Sequence, residues 1–309
     1  MTAGYTAVRD GGAGLIDLSE RGQIRVSGSE ATMFLNGLVT NDVKSLAEGR
    51  WMPAAFPTVQ GRLIGAVRMA RVKDGFLIDT ERASHEAVLK TISRFTMAGD
   101  FRVADFTDES AMLSLQGMRA GEIVGKVLKA IVTDLPRNGV RELEAATIIR
   151  ATHTAEDGFD LIVDSTRAGE LRQALQDAGA QQVDQETFEI LRIEAGIARF
   201  GVDMDETTVI PETNLDDAVS YTKGCYVGQE IIVRIKHRGH PAKKLVGLKA
   251  RPIEPGAIVT SAAVSPRAGN IGLGYVRYEF MEPGSTVLLD NEIKATVTEL
   301  PFIRGSWYG

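Results

Sequence analysis

The chain has 309 residues, of which 44% are hydrophobic and 25% charged, and its formal net charge is −6. This is the balance of an ordinary globular protein, and the length allows two or three domains. A mildly acidic chain is a poor candidate for general nucleic-acid binding, which needs a basic face, so no nucleic-acid partner is expected.

The single cysteine, Cys225, excludes an intrachain disulfide and gives no sign of secretion. The segment from Met1 to Gly14 lacks the basic stretch and long apolar run of a signal peptide. No window approaches the roughly 20 apolar residues of a membrane-spanning helix. We therefore expect a cytoplasmic protein with no membrane partner.

Short strands and helices alternate over the first two thirds of the chain. The first ordered segment is 15–19. After it we predict, in chain order, a strand at 23–28, a helix at 29–35 closed by Gly37, a loop at 40–43, β structure at 54–79, and a helix with Val88, Leu89, Ile92 and Phe95 on one face. These are followed by strands at 101–106 and 111–116, a helix at 123–130, a strand at 159–164, and helices at 166–178 and 186–195. Ser29 and Thr166 are the predicted helix N-caps. Lys73-Asp74-Gly75 is a hairpin signal. This mixture favours an α+β fold over a doubly wound parallel sheet.

Beyond Gly239 the pattern contains strands alone. Segments 245–248, 257–260, 274–278, 286–289 and 293–298 are predicted strands, separated by prolines and glycines. We expect a small all-β domain, a partly closed barrel, with its boundary near residues 238–241.

The most specific segment is Lys223-Gly224-Cys225-Tyr226-Val227-Gly228-Gln229-Glu230. Its glycines permit tight turns and the close approach of a ligand to the backbone. A nearby ammonium group favours the thiolate, which is the reactive and metal-binding form of cysteine. The alternative that the residues leave open is a small buried cysteine in a turn, since a lone free cysteine often packs as a small apolar residue.

Glu194 is a second candidate site residue. It lies at the edge of the apolar face of a predicted amphipathic helix that includes Phe188 and Leu191. From there its carboxylate can face a cavity and accept two hydrogen bonds from the paired N–H groups of an aminopyrimidine edge. The alternative is an ordinary solvated glutamate on a helix.

These segments carry a resemblance to known families. Residues 223–230 resemble the signature K-G-C-[FY]-x-G-Q-E of the YgfZ family. Arg192-x-Glu194-Ala195-Gly196, with residues 201–206 and 211–212, resembles the folate-binding segment of glycine-cleavage T-proteins. Residues 17–43, including Asn41, and Leu115-Gln116-Gly117 resemble other elements of the same proteins. The chain is thus similar to the YgfZ-like branch of the T-protein (GcvT) superfamily.

The resemblance implies a three-part α+β cloverleaf. A folate-binding core at 1–238 would contain two interleaved ferredoxin-like subdomains, about 1–50 with 110–238 and 51–109, and residues 239–309 would form the small antiparallel β-barrel. Tetrahydrofolate or a derivative would lie in a central cleft. The implied cofactor-binding residues are Glu194, Arg234, Asn41, Gln116, Tyr226 and Gln229, and the implied catalytic residues are Cys225 and Lys223. Basic residues at 234–238 suit the carboxylates of the folate tail.

One departure concerns the T-protein's catalytic aspartate, which is part of an aspartate pair. The matching stretch begins at Gly61, places Ile64 and Gly65 at the aspartate positions, and has no acid before Val72. Neither side chain can polarise an amine or hold a proton, which argues against aminomethyl transfer. A lone cysteine also cannot hold an iron–sulfur cluster, which typically needs about four thiolates, and no metal site is predicted.

Three functions remain open. The first is a tetrahydrofolate-binding accessory protein that assembles or repairs iron–sulfur enzymes, with Cys225 as functional thiol and with assembly proteins or client enzymes as partners. The second is a folate-dependent aminomethyltransferase, or a related one-carbon transferase or demethylase. The third is a module that only binds folate.

Overall fold

The computed structural model describes residues 1–94, 96, 97, 99–290 and 292–309, without the side chain of Arg238. Phe95, predicted on the apolar face of a helix, lies outside this description. In chain order the helices and strands are α1 Ala3–Arg9, β1 Gly14–Asp17, β2 Gly22–Ser27, α2 Ala31–Leu38, β3 Arg50–Pro57, β4 Leu63–Val72, β5 Gly75–Thr80, α3 Arg82–Ser93, β6 Arg102–Asp105, β7 Ser110–Gln116, α4 Ala120–Leu128, β8 Val140–Glu142, β9 Thr147–Arg150, β10 Gly158–Asp164, α5 Ala168–Asp177, β11 Gln181–Gln182, α6 Gln185–Glu194, α7 Gln229–Arg238, β12 Lys243–Lys249, β13 Val259–Ser265, β14 Gly269–Arg277, β15 Thr286–Leu288 and β16 Lys294–Thr298.

The first sheet has the strand order β11-β1-β7-β10-β9-β8, and α4 and α5 cover one of its faces. Side chains alternate along β7, as they do in any strand. Leu113 and Leu115 pack among the residues of α4 and α5, whereas Met112 belongs to a core on the opposite face. That second face is therefore left to meet another layer.

The second sheet has the order β3-β4-β5-β2-β6 and is antiparallel throughout. Helices α2 and α3 cover its outer face around a core that includes Ile24, Phe56 and Met69. Val72 pairs with Gly75 across a two-residue turn, which confirms the hairpin predicted at Lys73-Asp74-Gly75.

The two sheets pack together through a shared core. Ala70 and Leu77 of the second sheet belong to the same buried cluster as Met112 and Ile162 of the first. The chain enters the first sheet with β1, builds the whole second sheet, and returns with β7, so the two sheets are interleaved in sequence. Strand β2 pairs with β5 and β6, so residues 22–27 belong to the second sheet, although the predicted boundary grouped them with the first unit.

The third sheet has the order β13-β14-β12-β16-β15 and curls into an antiparallel half-barrel. All five strands predicted beyond Gly239 are present, with ends that differ from the predicted bounds by up to five residues. Leu248, Ala295 and Val297 are fully buried or nearly so in its core. The α+β fold with a small C-terminal β domain is therefore confirmed.

Two local predictions were wrong. Ser29 does not cap α2, because its backbone N–H and hydroxyl both donate to the Asp100 carboxylate, and the helix begins at Ala31 and runs through Gly37 to Leu38. Thr166 does not cap α5 either, since it lies in a short 3₁₀ turn whose own cap is Asp164. In both cases a nearby aspartate, a stronger acceptor than a hydroxyl, sets the local geometry.

Helices α1 and α7 were not predicted. Helix α7 contains the apolar run Ile231-Ile232-Val233. Ile232 is fully buried against residues of β3 and β4, whereas Arg234 is exposed on the other side of the helix. Burial of one face therefore decided the helix, which a three-residue apolar run could not indicate.

Candidate functional site

The signature loop, residues 223–228, connects the turn Asp216–Ala218 to the start of α7. The Val227 N–H donates to the Gly37 carbonyl at 3.1 Å, which ties the loop to the end of α2. Gly228 has a φ of 75°, and a Cβ there would lie 2.3 Å from the Thr58 carbonyl oxygen. The glycine is therefore required both for its backbone angle and for the close approach of the 58–61 turn.

Lys223 anchors this loop. Its side chain is largely buried, and its ammonium donates to the carbonyls of Asn36 at 2.6 Å, Val39 at 2.9 Å and Asn41 at 2.7 Å. These bonds use all three ammonium donors and satisfy carbonyls at the end of α2 and just beyond it. Burial lowers the pKa of Lys223 to about 8, against an opposing effect of Asp42. The sequence predicted that this lysine acts on the thiol, and that role stays a prediction.

Cys225 is exposed. It lies on the rim of a cavity of about 320 Å³ whose other lining residues include Met33, Asn36, Asp42 and Lys44. The Met33 side chain is 56% exposed, although it is apolar. The thiol is thus open to solvent, to small reagents and to a protein partner.

Tyr226 points the other way, into the protein. It is 7% exposed and packs in a cluster with Ala55, Leu63 and Ile232. Its hydroxyl has no hydrogen-bond partner among the described residues, and burial raises its pKa to about 12. Of the other two predicted residues from this region, Gln229 is half-buried at the first position of α7 and Arg234 is exposed.

Asn41 joins the signature region to the second sheet. Its side-chain N–H₂ donates to the Pro53 carbonyl at 2.7 Å and to the Asp217 carbonyl at 3.0 Å. Its side-chain oxygen accepts from the Asp42 N–H at 2.9 Å. Asn41 therefore positions the turn Asp216–Ala218 against β3.

Glu194 lies in a different place and is fully buried. Its carboxylate accepts hydrogen bonds from the Tyr5 hydroxyl at 2.6 Å, from Arg9 Nε and Nη2 at 3.0 and 2.7 Å, and from the Ser265 hydroxyl at 2.5 Å. These donors come from α1 and β13, so the carboxylate joins the N-terminus, α6 and the C-terminal sheet. A pterin edge would have to displace one of them to reach it.

Gln116 is also fully buried and fully engaged. Its side-chain N–H₂ donates to the Ser114 hydroxyl at 2.9 Å and to the Ala151 carbonyl at 3.2 Å, and its oxygen accepts from the His153 N–H at 2.9 Å. The amide thereby holds the 151–154 loop over the first sheet. The predicted site residues thus fall into three places, with Lys223, Cys225, Tyr226, Gln229 and Asn41 near one another, Arg234 farther along α7, and Glu194 and Gln116 elsewhere.

A buried group of charges between the first two sheets was not predicted. Arg68 of β4 donates to Asp79 at 2.6 and 2.9 Å and also to Asp160, while His153 contacts Asp160 at 3.0 Å. Burial alone would raise the pKa of Asp160, but His153 and Arg68 hold it well below its ordinary value. The signal was available in the sequence, because Arg68, Asp79 and Asp160 each interrupt an otherwise apolar strand.

Ile64 and Gly65, the residues matched to the aspartate pair of T-proteins, are packed against the core of the second sheet and helix α3. Gly65 lies in β4 under α3, and a Cβ there would lie 2.7 Å from Val88 Cγ2 and 2.9 Å from Ser84 Cβ. Ile64 is half-buried against the core of the second sheet. A larger side chain at position 65 would require α3 to move.

Within the described part of the chain, no group of three or more His, Cys, Asp or Glu residues is arranged to hold a metal ion. Among those same residues, no helix is long and apolar enough to cross a membrane.

Comparison with known proteins agrees with this architecture. The model of the GCVT N-terminal domain matches residues 1–223. An aminomethyltransferase of Rubrobacter xylanophilus is 34% identical over 98% of this chain and 86% of its own, and one of Halothermothrix orenii is 29% identical over 97% and 90%. The crystal structure of the glycine cleavage system aminomethyltransferase T from Bartonella henselae is similar in fold, with a TM-score of 0.90 over 97% of this chain and 88% of that one, at 24% identity. The chain therefore belongs to the GcvT family.

Proposed function

We propose that this protein binds tetrahydrofolate and supports the assembly or repair of iron–sulfur enzymes through the thiol of Cys225. The observation that carries the proposal is the exposed cysteine on a loop anchored by the buried Lys223. Within the GcvT family, the signature at 223–230 favours the YgfZ-like branch. A reduced lone thiol is also consistent with a cytoplasmic location, which we include in the proposal.

Family membership supports the folate ligand. The 34% identical relative is named an aminomethyltransferase, and aminomethyl transfer in this family uses tetrahydrofolate as the one-carbon acceptor. The exposed basic side chains of Arg234, Lys236 and His237 on α7 follow the signature loop directly and suit the carboxylates of a folate tail.

The packing around Gly65 supports a function other than aminomethyl transfer. An acid at this position would collide with Ser84 and Val88, and Ile64 beside it belongs to the apolar core. The acid that would polarise the transferred amine is therefore missing. At Gly65, one of the two positions matched to the aspartate pair, the packing leaves no room for an acid side chain.

The thiol has to act together with a partner. One cysteine cannot hold a cluster, so Cys225 would serve either as one ligand of a shared cluster or as a nucleophile toward a bound intermediate. The exposed Met33 on the same cavity gives a partner an apolar contact next to the thiol.

The experiment combines a cellular and a binding measurement. In cells lacking this protein, we expect the wild type to restore the activity of iron–sulfur enzymes and Cys225→Ser to fail, while both purified proteins bind tetrahydrofolate equally in anaerobic calorimetry. The matched control is Lys44→Met, an exposed residue of the same cavity, which should restore activity. Full restoration by Cys225→Ser would contradict the role of the thiol and leave a module that only binds folate.

Folate-dependent aminomethyl transfer is the second candidate, favoured by the 34% identity to an aminomethyltransferase over nearly the whole chain. The purified protein would then convert tetrahydrofolate and an aminomethylated carrier protein to methylenetetrahydrofolate, ammonia and the carrier with its free thiol. We expect no turnover above the rate without protein. Steady turnover would replace the first candidate with the second.

A further inference from the structure

A cavity of about 470 Å³ opens where strand β16 separates from strand β12. Strand β12 pairs with β14 over its whole length, but with β16 only from Gly247 onwards. After Thr298 the chain turns towards the end of α6, where a backbone hydrogen bond holds it. Among the described residues, the first part of β12 therefore has no neighbouring strand on that side. The residues of this part that line the cavity are Lys244, Leu245 and Val246.

The backbone of Leu245 faces this gap. Hydrogen-bonded and non-hydrogen-bonded residue pairs alternate along two antiparallel strands. Leu245 lies opposite Tyr275, whose N–H donates to the Ile258 carbonyl at 2.9 Å, on the other side of β14. The N–H and C=O of Leu245 therefore point away from β14 and towards the cavity. No backbone group of the described residues pairs with them there.

These two backbone groups are enclosed, since Leu245 is only 1% exposed. Buried N–H and C=O groups are nearly always paired, because leaving them unpaired costs about as much as losing a hydrogen bond. A residue that presents its N–H and C=O to one side is half of an antiparallel residue pair, and one residue of an extended peptide is the other half. The cavity volume falls within the range of about 300–1,000 Å³ that ligand sites occupy.

Strand β16 restricts how such a peptide lies. It already occupies the edge of β12 from Gly247, so a peptide in line with it has to begin or end inside the cavity, opposite Leu245. The end of this peptide lies next to Glu299, the residue that follows β16. Glu299 lines the cavity, is exposed, and has no ion pair among the described residues. Its carboxylate attracts a peptide α-amino group and repels a terminal carboxylate, so the charge favours a free N-terminus.

We propose that this cavity binds the free N-terminus of an extended peptide segment of a partner protein. The first residue pairs with the backbone of Leu245, and its α-amino group lies at Glu299. Apolar cavity walls, which include Met281 and Leu300, favour an apolar side chain on that residue. The inference goes beyond the proposed function, because it involves neither the thiol nor folate.

The first test is calorimetry of the full-length protein with two probes. One is the tripeptide amide Leu-Ala-Ala with a free amino group, and the other is the same peptide with an acetylated N-terminus. The proteins are wild type, Glu299→Gln, and Glu254→Gln as the matched control at an exposed glutamate of the same domain. We expect wild type and Glu254→Gln to bind the free peptide about 10- to 100-fold more tightly than the acetylated one, as is typical of a hydrogen bond to a charged group. Glu299→Gln should lose most of this preference.

The second test locates the peptide by nuclear magnetic resonance of protein labelled with ¹⁵N-leucine. The amide signal of Leu245 should shift when the free peptide is added. Leu245→Ile identifies that signal by its absence, and this variant should keep its affinity because the contact is made by the backbone.

Three results would overturn the inference and leave the proposed function standing. No binding of the free peptide by wild type at millimolar concentration would mean that water alone satisfies the backbone of Leu245. Equal binding of the two peptides by wild type, or equal loss of the preference in both glutamine variants, would exclude recognition of the α-amino group by Glu299. Binding that leaves the Leu245 signal unchanged would place the peptide elsewhere.

Discussion

Two segments that the sequence marks for ligand binding are built in opposite ways. In the signature loop, the Cys225 thiol is exposed and the Tyr226 hydroxyl has no partner among the described residues. On α6, Glu194 is fully buried, and its carboxylate accepts four hydrogen bonds from three side chains. A family motif therefore names a residue, but the partners that folding supplies decide whether that residue still has capacity for a ligand.

The largest expected effect on stability is at Glu194, whose carboxylate already accepts four hydrogen bonds. Replacing Glu194 by alanine leaves the Arg9 guanidinium, which has no exposed side-chain surface, with one carboxylate instead of two. We expect the free energy of unfolding to fall by about 3–5 kcal/mol, measured by urea denaturation. Glu186→Ala, at an exposed position of the same helix, should change it by less than about 0.5 kcal/mol. A loss below about 1 kcal/mol for Glu194→Ala would show that its hydrogen bonds with Tyr5, Arg9 and Ser265 are dispensable, and that Glu194 is available to bind a ligand.

The second prediction concerns pH and the buried Asp160. Its pKa is lower in the folded than in the unfolded protein, so the carboxylate stabilises the fold above its unfolded pKa of about 3.9, and this contribution is lost as the pH falls below that value. Asp160→Asn should cost about 3 kcal/mol at pH 7, and its stability should fall less steeply than that of the wild type below pH 4. Parallel pH curves for the two proteins would contradict the ion pairs with Arg68 and His153.

The third prediction concerns the anchor of the signature loop. Lys223→Met removes three hydrogen bonds to backbone carbonyls, two of them buried, and should lower the free energy of unfolding by about 1–3 kcal/mol. Lys44→Met, at an exposed lysine of the same cavity, serves as the control and should stay within about 0.5 kcal/mol of wild type. Equal stability of the two variants would mean that Lys223 is free to act on the thiol rather than holding the loop.

The smallest effect is expected at Tyr226. Because its buried hydroxyl has no described partner, Tyr226→Phe should leave the stability at pH 7 unchanged or raise it by up to about 1 kcal/mol. Its pKa is raised to about 12, so the unfolded state ionises first and the wild type loses stability between pH 10 and pH 12. The phenylalanine variant lacks this share of the loss, which chemical denaturation at several pH values would measure. Destabilisation by more than about 1 kcal/mol at pH 7 would reveal a bound water or another partner.

The helices and strands that were predicted correctly are those whose formation depends on residues close together in the sequence. The Asp-Gly hairpin, the five C-terminal strands and helix α6 lie within about five residues of their expected bounds, because turn residues and apolar periodicity act over short distances. The short helix α7 was missed, since its apolar face is stabilised by β3 and β4 and not by its own residues.

The sequence by itself determined the α+β class, the small C-terminal β domain and the single thiol with its glycine-flanked loop. These depend on composition, periodicity and residue identity, which are properties of short stretches of chain. The tertiary structure alone decided that Lys223 donates to three carbonyls and that Glu194 is enclosed by Tyr5, Arg9 and Ser265. The partners of Lys223 and Glu194 lie up to 189 residues away along the chain, and hydrogen bonding at that separation is set only when the three sheets pack together.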